Sequence, residues 1–344
     1  MSETEVVEKP TNNQSAEKIN ASSVGDTIKS TDLTADQIDK LAKLIEAIPT
    51  ILLKTDNPKY DEIFGHCVNV DSNEHVDVSI RNEILLKFLI ADEYDVETAT
   101  TRLVNTLNWR NKFQPLSAAY EEEFDKELDQ LGVVTGNPDG DDNMKYVTWN
   151  LYGKLKNPKK VFQQYGGERE SKEGAKEGTQ FLRWRIGIME KSLLFADFTD
   201  PTNNKIAQVH DYNNVSMLRM DPNVKASTKQ IISIFGANYP ELLSVKFFIN
   251  VPVFMGWVFT FLKKMGIISA ETLKKFQVLS NGNLSEWFGK DNLPAEYNGG
   301  KTTKYSLLDS LAESIPKAEI PAYAKVILAQ TKDQEIQNAN LSVE

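Results

Sequence analysis

The spacing of apolar residues changes character along the chain. Through residue 33 the sequence is mostly Ser, Thr, Asn, Glu and Lys with few large apolar side chains. Such a segment buries too little surface to offset its ordering entropy, so residues 1–33 are expected to form a disordered tail. From Thr34 the period is helical. Ile38, Leu41, Leu44, Ile45 and Ile48 share a stripe, Thr34 and Gln37 have capping-box spacing, and Pro49 marks the expected end. A second helix is predicted over 81–92 with Ile84, Leu85, Phe88 and Leu89 as its apolar face. A third, capped by Asp95, carries Val96, Ala99, Leu103 and Leu107 and closes at Trp109. Residues 34–131 therefore read as a small helical unit.

From residue 132 the pattern alternates between strand and helix. Strands are predicted in KYVTWNLYG (145–153), with Val147, Trp149 and Leu151 on one face, in KIAQVHDYNNVSML (205–218), in VKFFINVP (245–252) and in FQVL (276–279). Helices are predicted over 179–198, 227–243, 253–266 and around 271–275. This β-α-β order makes the fold α/β with a mainly parallel sheet faced by helices. Residues 304–344 are expected to hold a helix near 320–331 and a polar tail.

Composition narrows the function. The net charge of −10 argues against broad nucleic-acid binding, which needs a basic patch or stripe. Cys67 is the single cysteine, so no intrachain disulfide can form. The N-terminus has no apolar signal core, and no run of about 18 apolar residues predicts a membrane span. The phosphate-cradling GxGxxG and GxxxxGK[ST] loops are absent, as are GxSxG and HExxH. A Cys67–His66 thiol pair in a predicted loop is a poor protease candidate, and three histidines argue against a multi-histidine metal cage.

Two features carry chemistry. In AQVHDYNNVSMLRMD (207–221), His210 and Tyr212 stand two residues apart on a predicted buried strand, so both side chains face one space. Both can ligate iron, and a tyrosine oxygen is a known axial ligand to haem; the same pair also suits a hydrogen-bonded core or cleft. The segment 253–266 holds Phe254, Met255, Trp257, Val258, Phe259, Phe261 and Leu262 and ends in Lys263 and Lys264. It reads as a buried helix, or as a mobile cover over an apolar cavity whose basic end meets anionic headgroups.

LNWR (107–110), NYPELLSVKFFINVP (238–252) and LPAEYNGG (293–300), in that order, resemble the CRAL-TRIO lipid-binding family over roughly residues 60–303. Within it, VTWNLYGK, RWRIGIMEKSL and QVHDY resemble the fungal SFH-type branch, non-classical phosphatidylinositol transfer proteins that bind haem. The resemblance implies a helical N-terminal unit, then a ligand-binding lobe (132–303) with an apolar pocket and a gate helix, here 253–266. It implies a non-enzymatic carrier of phosphatidylinositol that supports phosphoinositide homeostasis. Such a carrier is cytoplasmic and also peripheral on endoplasmic reticulum and microsomal membranes.

The resemblance further implies haem b as cofactor. Tyr212 would be the axial iron ligand with His210 beside it, and Tyr152, Arg185 and Lys246 match positions that line the haem. A phenolate favours ferric iron, and the two cations could pair with the propionates and lower the Tyr212 pKa. For the lipid headgroup the matching residues are Glu241 and Lys275. Asp92 and Tyr94 fall where the haem-binding branch can carry an aromatic, and 166–178 is a polar, glycine-rich insertion. A dedicated haem protein for redox sensing, haem handling or oxidant response is the alternative. A haem enzyme would need a distal acid–base group, and the sequence offers no histidine for that role.

Overall fold

A computed structural model of the chain describes residues 21–70, 74–136, 140–155, 157–166, 176–215, 222–251, 273–293, 295–298 and 319–341. The segment 253–266, most of the 166–178 insertion, and residues 1–20 and 299–318 lie outside the described residues.

The N-terminal helices are α1 (Ala21–Thr27), α2 (Ala35–Glu46), α3 (Ile48–Leu53), α4 (Val78–Ala91), α5 (Val96–Phe113), α6 (Pro115–Tyr120) and α7 (Lys126–Asp129), with a small antiparallel pair β1 (Glu62–Ile63) and β2 (His66–Cys67). The predicted caps are present. Thr34 and Gln37 form a reciprocal capping box on α2, and Asp95 accepts from Thr98 N at α5. Pro49 does not end a helix as expected. It sits in the first turn of α3, where a missing N–H leaves no intrahelical bond unmade.

Residues 21–33 correct the expected tail. They form α1 and a packed turn, with Val24 in the core. The buried Glu83 carboxylate accepts from Lys29 N at 2.7 Å, Ser30 N at 2.8 Å and Ser30 Oγ at 2.5 Å. A chain poor in apolar groups is thus held by a polar anchor some fifty residues away.

The lobe holds β3 (Gly132–Gly136), β4 (Tyr146–Asn150), α8 (Pro158–Tyr165), α9 (Gln180–Leu193), β5 (Ile206–Asp211), α10 (Pro222–Asn238), β6 (Leu243–Ile249) and β7 (Phe276–Val278). The sheet order is β3-β4-β5-β6-β7; β3 pairs antiparallel with β4 and every other pairing is parallel. Because spatial order follows chain order, right-handed crossovers place the β4–β5 and β5–β6 helices on the same face. The opposite face is apolar: Val147, Trp149, Ala207, Val209, Phe247 and Ile249 pack under Leu284, Phe288, Leu293 and Tyr297.

Core burial ignores the boundary expected near residue 131. Leu41, Ile45, Ile84 and Phe88 share one cluster with Ile186, Met189, Phe198, Ile206 and Tyr239, and with Ala324 and Ile327 of the C-terminal helix Ala322–Leu341. A charged joint crosses the same seam. Arg110, the last residue of LNWR, donates to Glu62 at 2.8 and 3.0 Å and to Glu190 at 2.8 and 3.2 Å. Tyr60 Oη also donates to Glu62 and Tyr239 Oη to Glu190.

Candidate functional site

Strand alternation sorts the helix-facing side of the sheet into polar and aromatic rows. In register, Thr148, Gln208, Lys246 and Phe276 are neighbours across β4–β7, and Asn150, His210, Phe248 and Val278 form the next row. Thr148, Asn150, Gln208 and His210 are buried, Lys246, Phe248 and Phe276 are half-buried, and Val278 at the sheet edge is exposed. Several atoms on this side have no hydrogen-bond partner among the described residues: Thr148 Oγ1, Asn150 Oδ1, His210 Nε2 and Ser244 Oγ. Buried polar atoms in native proteins are nearly always partnered, so a row of orphans on one face marks a place built for something else to bind.

Tyr212 lies one residue past β5, but its N–H bonds Ile249 O at 3.1 Å, which continues the ladder and keeps its ring on the His210 face. Tyr152 follows β4 in a turn at Tyr152–Lys154. Gly153 permits the approach: a Cβ there would lie 2.3 Å from Asn213 O. The result is an aromatic cluster. Ring centroids of Tyr152 stand 5.7 Å from both His210 and Tyr212, and Phe248 stands 5.5 Å from His210 and 6.3 Å from Tyr212. The cluster sits at the carboxyl ends of β4, β5 and β6, the usual place for a ligand in a parallel sheet.

Two cations face it. Arg185, fully buried on α9, lies 4.7 Å over the Phe235 ring and donates through Nη2 to Gln208 Oε1 at 3.4 Å, while its Nε and Nη1 have no hydrogen-bond partner among the described residues. Lys246 Nζ lies 5.3 Å from the Phe248 centroid and 6.0 Å from that of Phe276. Among the described residues no carboxylate stands within ion-pair distance of either cation. Burial, with Arg185 nearby, lowers the Lys246 pKa to about 7, and burial lowers Arg185 as well. Burial, then Lys246 and Arg185, hold His210 well below the usual imidazole value, so it is neutral. The five predicted residues Tyr152, Arg185, His210, Tyr212 and Lys246 therefore come together.

One expected effect is reversed. The nearby cations were expected to bring Tyr212 towards phenolate, yet its pKa is raised, chiefly by burial and then by Tyr152, against the weaker opposing pull of Arg185. Tyr152 is raised by burial too. The pocket presents Tyr212 as a neutral phenol.

Glu241 and Lys275 form a separate cluster. Their side chains pair with each other at 3.2 Å. Glu241 O also accepts from the buried Lys87 Nζ at 3.3 Å, and Lys87 reaches Asn204 O at 3.0 Å. Lys87, inside α4, has no sequence signature that could have found it. Asp92 is occupied structurally: Arg102 grips it at 2.6 and 2.8 Å and reaches Gly236 O at the end of α10. Tyr94 packs against the main core with a left-handed backbone, so neither residue joins the aromatic cluster in the described contacts. Gln208, Phe248, Phe235 and Phe276 were missed by sequence reasoning. The i, i+2, i+4 run of QVHDY placed Gln208 on the His210 face, and alternation in 243–249 placed Phe248 with Lys246.

Among the described residues no group of three or more His, Cys, Asp or Glu could hold a metal ion, and no helix is long and apolar enough to cross a membrane. The CRAL/TRIO domain model matches residues 135–299. The chain is 87% identical over 344 residues, the full length of both, to the phosphatidylinositol transfer protein SFH5 of Debaryomyces hansenii. It is 58% identical to that of Candida albicans over 92% of this chain and 97% of the relative, and 38% identical to that of Saccharomyces cerevisiae over 82% and 92%. A solved structure titled as the crystal structure of Sfh5 superposes with TM-score 0.75 at 36% identity, covering 88% of this chain and 99% of that one.

Proposed function

The chain belongs to the CRAL/TRIO family, among the SFH5-type proteins, and from that membership we propose that it is a phosphatidylinositol carrier whose pocket also takes haem b. The relatives are named for transfer, and the reading is of a binding protein rather than an enzyme. It would work in the cytoplasm and peripherally on endoplasmic reticulum or microsomal membranes, supporting phosphoinositide homeostasis.

The observation that carries the haem part is the buried Arg185 and the half-buried Lys246, neither with a carboxylate partner among the described residues, beside an aromatic floor. A flat apolar macrocycle with two carboxylates complements that arrangement. Arg185 and Lys246 would hold the carboxylates, Arg185 through the N–H groups that lack partners. Tyr212 would supply the oxygen that holds the iron, and His210 would stay neutral beside it. When bound, haem b would supply one-electron chemistry at an iron whose ferric state a phenolate oxygen favours. Tyr152, Phe248 and Phe276 would exclude water from the floor.

Glu241, Lys275 and Lys87 would receive the inositol phosphate, the lysines meeting phosphate and the carboxylate meeting hydroxyls. One contrast favours a second reading. Glu241 and Lys275 already neutralise each other, whereas Arg185 keeps N–H groups without partners among the described residues, and no carboxylate there pairs with Lys246. A dedicated haem protein in redox sensing, haem handling or oxidant response, with little lipid transfer, would show that imbalance.

The test is an absorption spectrum of freshly purified protein compared with Tyr212→Phe, beside a vesicle transfer assay with phosphatidylinositol. A Soret band that shifts or collapses in the variant supports tyrosine ligation. No Soret band, even after added haemin, removes the haem reading and leaves a lipid carrier.

A further inference from the structure

The pocket's charge imbalance turns on one neutral side chain. Gln208 lies on β5 between Thr148 and Lys246 in register, two residues before His210 and on the same face, and is 6% exposed. Its Oε1 accepts from Arg185 Nη2 at 3.4 Å, and its Nε2 points at Met189 Sδ at 3.8 Å. The amide oxygen thus stands beside one buried cation, on a strand position that neighbours the other. Glutamate has the same shape, and its carboxylate at this point would neutralise Arg185 and lie next to Lys246. Buried cations without partners are costly, and a carboxylate here would relieve that cost. The chain has the amide instead, which, with the hydrogen bond between Tyr152 and Arg185, orients Arg185 and leaves its charge available.

We propose that Gln208 is a specificity-determining residue of the pocket: as an amide it positions Arg185 without neutralising it, so the pocket selects amphiphiles bearing two acid groups over neutral ones of the same shape. The inference rests on the reading that the pocket takes a flat amphiphile, but it does not require iron or Tyr212 ligation. A ligand carrying two acids completes the charge balance that the fold leaves open, and a neutral analogue leaves the buried Arg185 without a counter-charge and gives the half-buried Lys246 none.

The probes are metal-free protoporphyrin IX, a dicarboxylic acid, and its neutral dimethyl ester, titrated by fluorescence into full-length wild type, Gln208→Glu and Gln208→Met. Wild type should bind the free acid at least about tenfold tighter than the ester. Gln208→Glu should lose that preference, keep its ester affinity, and melt higher than wild type without ligand. Gln208→Met retains the positive charge, so it should keep the preference while binding the acid more weakly through a less ordered Arg185. Equal binding of acid and ester by wild type overturns the proposal. So does a Gln208→Glu protein that keeps the preference, or a Gln208→Met protein that loses it together with Gln208→Glu while both melt below wild type, since that pattern is a packing defect. Haemin titration separates the parent reading: no Soret band with the acid preference intact would defeat haem ligation and leave the selectivity of Gln208 standing.

Discussion

Replacing Arg110 by alanine removes the centre of the charged joint. Arg110 is fully buried, and its guanidinium bridges Glu62 of β1 and Glu190 of α9 while lying 5.3 Å over the Phe64 ring. Truncation leaves two buried carboxylates, Glu62 at 0% and Glu190 at 2% exposure, with no cation. Removing one partner of a buried pair costs roughly 3–5 kcal/mol. Tyr60, Tyr239 and the Gly65 N–H still donate to the carboxylates and keep the figure from growing larger. At about 2 °C per kcal/mol for a large chain, the expected loss in Tm is about 6–10 °C.

The pH dependence identifies the cause. A buried carboxylate without a counter-ion costs most while it is charged, so the variant is penalised most at neutral pH and recovers as pH falls towards the carboxylate range. The gap between wild type and variant should therefore narrow from pH 8 to pH 5, measured by thermal unfolding followed by circular dichroism. A deficit below about 1 kcal/mol, or one that is flat across that range, would refute the reasoning, because a cavity left by the aliphatic stem does not titrate.

Two further outcomes are expected. Haem and a diacyl lipid would draw on one cavity, so haem-loaded protein should transfer phosphatidylinositol poorly, and equal rates for loaded and haem-free samples would defeat the exclusion. Burial lowers Lys87 from its ordinary value to about 7, so ligand-free wild type carries the full cost of its charge below pH 7 and sheds it between about 7 and 10.5. Relative to Lys87→Met, wild type should gain stability across that window in urea unfolding, and a pH-independent difference would show that Lys87 stays charged.

Local rules were readable wherever the partner lies within a few residues. The Thr34–Gln37 box, the Asp95 cap, the shared face of Val147 and Trp149, and the common face of His210 and Tyr212 all follow from periods of two or 3.6. What escaped depends on distant groups. The strap 21–33 is anchored by Glu83, and its own composition predicts disorder. Arg110 is legible as a motif, but its partner Glu190 is eighty positions away on another element. Tyr152 reaches Tyr212 only because Gly153 lets two turns touch. The phenolate expectation failed because counting nearby cations omits desolvation, which here outweighs them.

The fold treats buried polar groups in two opposite ways. At the Arg110 joint, each carboxylate meets the guanidinium, a tyrosine hydroxyl or a backbone N–H, and such a closed network stabilises one arrangement of helices against the lobe. On the pocket face, Thr148, Asn150, His210, Ser244 and Arg185 keep atoms without partners among the described residues. Other unpartnered atoms, such as Thr106 Oγ1 and Trp184 Nε1, lie elsewhere, but Thr148, Asn150, His210 and Ser244 share one side of the sheet and Arg185 faces it from α9. A ligand that satisfies them binds the folded state alone, and its binding free energy adds to stability as RT ln(1 + [L]/Kd). Ligand binding at the pocket face should therefore raise Tm, whereas the joint is already satisfied without a ligand.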